Sequence, residues 1–178
     1  MDSNVLISGY GGQGVLFIGQ LFANVCMEEG LNVTWFPAYG AEMRGGTVNC
    51  SVCISDEEVA CAFVDKPVNV IALNAPSFER FENKIKSGGM MIVNSSLVKE
   101  TPKRKDITYK FIPMTEIATE IGNPKTANIV SMGALMNAFQ FIKKETVVSV
   151  MKAKLIGKKA QMLDSNILAL ERGFAYSK

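Results

Sequence analysis

Apolar residues recur in two rhythms along the chain. Over the first two thirds, short apolar runs alternate with turns marked by glycine or proline. Over the last third, apolar residues return every three or four positions. The run at 4–8 predicts a first strand, buried on both faces. Val15, Ile18, Phe22, Val25 and Cys26 then follow helical spacing, while Leu16, Phe17 and Leu21 fill the other faces. This predicts a deeply packed helix that stops at Gly30. A second strand at 31–36 completes a strand–helix–strand unit, expected right-handed and parallel. Residues 37–46 carry no period and predict a long loop.

A third strand is predicted at 47–55 and a short one at 59–63, with a turn at 55–57 between them. A buried strand at 68–73 ends at Asn74, and Pro76 opens a helix over 78–85. Further strands are expected at 90–93 and 107–112. A short helix begins at Pro113 and Thr115, runs to Ile121 and is broken at 122–124. Three helical stripes follow: Ile129, Met132, Met136 and Phe139; Val147, Val150, Met151 and Leu155; Leu163, Ile167, Leu170 and Phe174. The abundant Met there fits core filling. No repeat, low-complexity tract or linker divides the chain. The fold class expected is α/β: one Rossmann-like domain over 1–178, with a mostly parallel sheet flanked by helices and a helical C-terminal third.

Composition narrows the classes of function. The 178 residues are 48% hydrophobic and carry a net charge of +2, which argues against nucleic-acid binding. The basic run Lys99, Lys103, Arg104 and Lys105 reads as a solvated loop. No apolar stretch reaches the roughly 18 residues of a membrane helix. Met1 leads straight into a strand, so the expectation is a cytoplasmic chain without signal peptide or membrane span. Cys50 and Cys53 form a lone CxxC on a predicted strand, where positions three apart face opposite sides. With no histidine in the chain, a shared metal is not expected, and the cysteines read as small buried hydrophobes.

The main chemical signal is Gly-Tyr-Gly-Gly-Gln-Gly at 9–14. It lies between a strand and a helix, where a dinucleotide-type fold brings backbone N–H groups to a phosphate. Gly11, Gly12, Gln13 and Gly14 are therefore candidate ligand residues. Asn74 and Ser95, at two other strand ends, can add uncharged hydrogen bonds. The second strand ends in Trp35-Phe36-Pro37, where a ribose-binding acid belongs in an NAD site. Trp35 is expected close to the crevice. In the loop, Tyr39, Glu42, Arg44, Gly45 and Gly46 are further candidates, Arg44 as a fork for phosphate or carboxylate. Arg44 can equally pair with Glu42 or reach a partner. No catalytic residue emerges.

The segments GYGGQGV at 9–15, PAYGAEMRGGTVNCSVCIS at 37–55, NAPSFERF at 74–81, NSSL at 94–97 and KTANIVSMGAL at 125–135 occur in this order. Together they resemble the gamma subunit of 2-oxoacid:ferredoxin (acceptor) oxidoreductases, over nearly the whole chain. YGAEMRGGTVNC is the most specific of them. Lacking His, this loop is unlike that of indolepyruvate oxidoreductase beta subunits and closer to the 2-oxoglutarate or branched-chain (ketoisovalerate) type. The resemblance implies oxidative decarboxylation of a 2-oxoacid with coenzyme A, giving acyl-CoA, CO2 and a reduced acceptor. It implies alpha, beta and ferredoxin-like delta subunits as partners, with ferredoxin or another carrier as acceptor. Thiamine diphosphate and iron–sulfur clusters would sit on those partners. This chain would bind no cofactor alone and would help close the coenzyme A region. Other readings stay open: an indolepyruvate beta-type subunit, a stand-alone Rossmann nucleotide-binding module, or a scaffold that touches no ligand.

Overall fold

The structure, a computed structural model, describes residues 2–38, 47–58 and 64–176. The strands β1 (Asp2–Tyr10), β2 (Asn32–Ala38), β3 (Thr47–Ser55), β4 (Asn69–Ala72), β5 (Met90–Asn94) and β6 (Thr108–Ile112) form one sheet in the order β2-β3-β1-β4-β5-β6. The helices are α1 (Val15–Glu28), α2 (Ala75–Glu82), α3 (Met114–Glu120), α4 (Ala127–Ala138), α5 (Lys144–Lys154) and α6 (Leu163–Tyr176). The predicted strand at 59–63 lies outside the described residues, as do Cys61 and the loop candidates Tyr39, Glu42, Arg44, Gly45 and Gly46.

Strands β1, β4, β5 and β6 pair in parallel, as expected of a largely parallel sheet. One expectation needs correction. β1 and β2 are not neighbours, because β3 runs between them and is antiparallel to both. The strand–helix–strand unit is thus split by a strand that returns as a hairpin from β2. The side-chain pattern of a strand does not encode its direction, so the alternation in 47–55 could not reveal this.

The alternation of side chains sorts the core into two layers. Val5, Ile7, Cys50, Val52, Ile71 and Ile92 point toward α1 and the helices that follow α3. Leu6, Val70, Ala72, Met91 and Val93 point toward α2 and the segment that carries Val98 and Ile107. Cys50 is wholly buried beside α1, and Cys53 faces the other way. Burial pushes the Cys50 thiol up to about 11 and the Cys26 thiol up to about 12, so both stay protonated at neutral pH.

Trp35 pairs in register with Val52, which is opposite Val5. Its indole packs with Cys50 against Gly19 of α1. Trp35 is therefore a core wedge two strands from β1, and not a neighbour of the glycine turn.

Helix α6 crosses α4 at Gly133 and Gly173. A Cβ on Gly133 would lie 2.1 Å from Leu170 O, and one on Gly173 would lie 2.1 Å from Val130 O. Two bare backbones thus touch, and this contact seats α6. Glu29 performs a similar task for α5. Its carboxylate accepts from Thr146 Oγ1 at 2.6 Å and from Lys143 N at 3.2 Å, which fixes a negative charge at the N-terminal end of α5 where the helix dipole favours it. The Thr146 hydroxyl, then Lys143, hold this carboxyl below its usual range.

The basic run is not simply solvated. Arg104 donates to Glu82 O at 3.1 Å and to Ile85 O at 2.5 Å, satisfying carbonyls at the C-terminal end of α2. It also grips both oxygens of Asp106. Buried Glu82 accepts from Lys103 N and from the Tyr109 hydroxyl.

Candidate functional site

The chain leaves β1 toward α1 on one side and leaves β4 toward α2 on the other. The carboxyl ends of β1 and β4 therefore flank the point where the winding reverses, the usual ligand crevice of an open α/β sheet. The glycine turn occupies that point. Gln13 N donates to Tyr10 O at 3.1 Å, and Gly12 has a φ of 96°, the conformation that a type II turn demands of its third residue. Gly14 follows at φ 76° as the residue before α1. A Cβ there would lie 2.1 Å from Asn128 Nδ2 of α4. Gly14 thus lets the start of α4 approach the start of α1.

Gln13 folds back into the crevice and closes it. Its Oε1 accepts from Tyr10 N at 2.6 Å and from Asn74 Nδ2 at 3.1 Å, and its Nε2 donates to Leu73 O at 3.2 Å. Gly9 leaves the room for this, since a Cβ there would sit 2.7 Å from Gln13 Oε1. Asn74 is buried. Its Oδ1 accepts from Ser77 N at 3.0 Å, so it caps α2 while its amide nitrogen braces the turn. Asn94, also buried, donates to Leu73 O at 3.4 Å and to Thr115 Oγ1 at 3.0 Å, and its Oδ1 accepts from Ser96 N. One chain of hydrogen bonds thus joins the ends of β1, β4 and β5 to the start of α3.

Beside this chain lies a cavity of ≈ 280 Å³. Gly12, Gln13, Asn94, Thr115, Lys125 and Asn128 supply its polar groups, and Leu73, Leu97, Pro124 and Ala127 its apolar ones. The structure therefore brings Gly12 and Gln13 together at the cavity. Gly11 stands exposed, with open space where a side chain would be. Asn74 braces the floor from behind. At the end of β5 it is Asn94, and not Ser95, that lines the cavity. Sequence reasoning missed Asn94, Thr115, Lys125 and Asn128. The loop candidates lie outside the described residues, and the strand positions on either side of them are paired. Thr47 pairs with Tyr10 and Ala38 with Asn49, so the loop starts and ends at the crevice end of the sheet.

A larger cavity of ≈ 680 Å³ opens where α4 and α6 diverge beyond their crossing. Met136, Ile142, Leu170 and Phe174 form its apolar wall, and the Lys144–Glu171 ion pair stands at its rim.

Residues 4–176 match the model of the pyruvate ferredoxin/flavodoxin oxidoreductase family. The chain belongs to that family. Ketoisovalerate oxidoreductase subunit VorA of Methanothermobacter thermautotrophicus is 34% identical over 178 residues. That match takes in 99% of this chain and 37% of the relative, so this chain spans little more than a third of the relative's length. 2-Oxoglutarate synthase subunit KorC of Methanocaldococcus jannaschii is 32% identical over 181 residues, covering 100% of this chain and 95% of KorC.

Among solved structures, 2-oxoglutarate:ferredoxin oxidoreductase from Magnetococcus marinus, with 2-oxoglutarate, coenzyme A and succinyl-CoA bound, superposes with a TM-score of 0.89 at 29% identity. The match covers 99% of this chain and 31% of that one. The keto/oxoacid ferredoxin oxidoreductase gamma subunit of Geobacter sulfurreducens gives 0.83 at 25% identity, with 98% of each chain covered. Family membership thus agrees with the resemblance carried by the five ordered motifs. Among the described residues, no group of three His, Cys, Asp or Glu side chains could hold a metal ion, and no helix is long and apolar enough to cross a membrane.

Proposed function

We propose that this chain is the gamma component of a multi-subunit 2-oxoacid:acceptor oxidoreductase of the 2-oxoglutarate or ketoisovalerate type. The complex oxidatively decarboxylates a 2-oxoacid with coenzyme A to an acyl-CoA and CO2. The observation that carries this reading is the family match over 4–176, together with full-length similarity to a 2-oxoglutarate synthase subunit. This chain works as a cytoplasmic accessory part, inactive alone, packed against alpha, beta and ferredoxin-like delta chains. It passes no electrons itself.

Iron–sulfur clusters, which supply electron transfer when bound, do not fit the described cysteines. The CxxC cysteines face opposite sides of β3, and the Cys50 thiol stays protonated. In this reading the clusters, and thiamine diphosphate with them, sit on the companion chains.

In this reading the glycine turn and the 39–46 loop form the surface that closes over coenzyme A. Gly11 and Gly12 allow close approach of the ligand, and Gly14 admits Asn128 beside the turn. Gln13, Asn74 and Asn94 hold the turn in place, with Ser95 next along the chain. Tyr39, Glu42, Arg44, Gly45 and Gly46 form the loop's share, with Arg44 facing an anionic group.

The test is purification of the tagged chain from its native host. The eluate is assayed for companion subunits, thiamine diphosphate, iron and coenzyme A-dependent oxidation of 2-oxoglutarate and ketoisovalerate. A multi-subunit eluate active on either acid supports the proposal. A lone, colourless chain refutes it. In the active complex, Arg44→Ala is expected to raise the coenzyme A requirement or to weaken assembly. Unchanged kinetics together with unchanged assembly would remove Arg44 from the site.

A further inference from the structure

The sheet carries another depression, on the face that looks toward α2. Leu6, Ser51 and Phe36 stand in register across β1, β3 and β2. Leu6 packs toward α2, so Ser51 and Phe36 face the same way. Between these strands and α2 lies a cavity of ≈ 250 Å³. Phe36, Asn49 and Ser51 line its strand side, and Arg80, Phe81 and Lys84 its helix side. Asp65 adds a carboxylate to the lining.

Ser51 is only 7% exposed, yet its hydroxyl has no hydrogen-bond partner among the described residues. The Asn49 amide beside it has none there either. A buried hydroxyl left unpaired is costly, so a polar atom arriving in the cavity recovers that cost. Phe36, in contrast, is 46% exposed. On the helix side, Arg80 Cζ lies 5.5 Å and Lys84 Nζ 5.7 Å from the centroid of the Phe81 ring, so two cations share one ring. They stand four residues apart, repel each other and outnumber the Asp65 carboxylate. The C-terminal end of α2 favours cations, but that accounts for neither Ser51 nor Phe36.

The cavity is smaller than the roughly 300–1,000 Å³ of sites that enclose a whole ligand. It has the size and lining of a socket for one side chain, with an aromatic ring, an arginine and a desolvated floor, as at the centre of a protein–protein contact. Relatives carry this domain in two ways. The match takes in 37% of VorA of Methanothermobacter thermautotrophicus, where the domain is tethered to further chain, and 95% of KorC of Methanocaldococcus jannaschii. A domain that is nearly a whole chain holds its neighbours by surface contact alone.

We propose that this socket is a docking point for a companion chain of the complex, which inserts a carboxylate side chain into it. The Ser51 hydroxyl and the Asn49 amide donate to that carboxylate, Arg80 and Lys84 balance its charge, and Phe36 is covered by the apolar contact around it. This rests on the gamma-component reading above and deepens it.

The experiment compares the free full chain with the assembled complex. Hydroxyl-radical footprinting reads the exposure of Phe36. A carbodiimide, which joins an amine to a touching carboxylate with loss of water, reads the contact of Lys84, and mass spectrometry locates the joined peptides. Phe36 is expected to be protected in the complex, and Lys84 to be joined to an Asp or Glu of a companion chain. Arg80→Glu with Lys84→Glu, both on the surface, should weaken companion binding at least about tenfold, while Lys152→Glu on α5 should leave it unchanged. Circular dichroism checks that the variants fold.

If the complex assembles with Phe36 labelled as in the free chain and the double variant binds its companions unaltered, the socket is overturned and the gamma-component reading survives. If Phe36 is protected in the free chain by phosphate or 2-oxoglutarate, or by self-association at higher concentration, and not by companions, the occupant is a small anion or a second copy and the proposal falls. If no companion chain joins this one at all, the gamma-component reading falls first and the socket with it.

Discussion

Truncating Gln13 to Ala removes the side chain that ties β1, β4 and α2 together at the crevice. The loss is uneven. Tyr10 N sits on an exposed turn and can turn to water, so its bond contributes little. Asn74 is only 2% exposed, and its Nδ2 gives its hydrogen bond to Gln13. Leaving that donor unpaired costs about 1–3 kcal/mol. Leu73 O keeps Asn94 as a donor at 3.4 Å, so it remains satisfied, though by a long bond. Freeing the Gln side chain returns a fraction of its rotamer entropy. The balance is a loss of about 2 kcal/mol. For a chain of this length that corresponds to a fall in Tm of roughly 4–8 °C.

Thermal and urea unfolding followed by circular dichroism measure the effect, and a double-mutant cycle with Asn74→Ala isolates the pair. Asn74→Ala alone also loses the α2 cap, worth about 1 kcal/mol. The double variant should be less destabilised than the sum of the two singles, by at least about 0.5 kcal/mol. Strict additivity, or an unchanged Tm in Gln13→Ala, would refute the view that Gln13 is spent on the scaffold. It would also return Gln13 to the set of ligand contacts.

Two further outcomes follow from the packing and the charges. Gly173→Ala places a methyl group 2.1 Å from Val130 O, in backbone that cannot swing aside, and should cost about 1–3 kcal/mol despite the better helix propensity of Ala. Urea midpoints of this variant against an exposed Ala→Gly change elsewhere on α6 check it. The Arg104 guanidinium beside Asp106 holds the Asp106 carboxyl down at about 2. A depressed carboxyl stabilises the fold above its unfolded value and loses that contribution as pH falls from about 4 toward about 2. Asp106→Asn should therefore lower the urea midpoint at pH 7, with the deficit vanishing near pH 2. An equal deficit at both pH values would show that the ion pair is not its source.

The strands were legible because buried β segments are short apolar runs between turn residues, and 47–55 coincides with β3 to the residue. The direction of β3 was not legible, since a pleated strand reads alike both ways. At the crevice, the glycine turn and Asn74 were visible from their place at strand ends. Lys125 and Asn128 were not. Lys125 lies in the turn just before α4 and Asn128 in the first turn of α4, far along the chain, and the close approach of Asn128 to Gly14 brings the two segments together. The KTAN opening of that helix, one of the motifs behind the family resemblance, was the available signal. Arg104 was misread because a cluster of basic residues looks solvated. Asp106, two positions on, marked it as paired.

The reversed strand frees the 39–46 loop from the rest of the architecture. In a fully parallel sheet, the segment leaving β2 would have to cross the whole molecule to reach its next neighbour. Here β2 and β3 are hydrogen-bonded partners, so the loop joins two points that the sheet already holds side by side. Its ends stay fixed whatever lies between them. Doubling such a segment costs only about 0.6 kcal/mol in closure entropy. The pairing of β2 with β3 therefore stands independent of the length of the segment between them, and the core beneath keeps its packing.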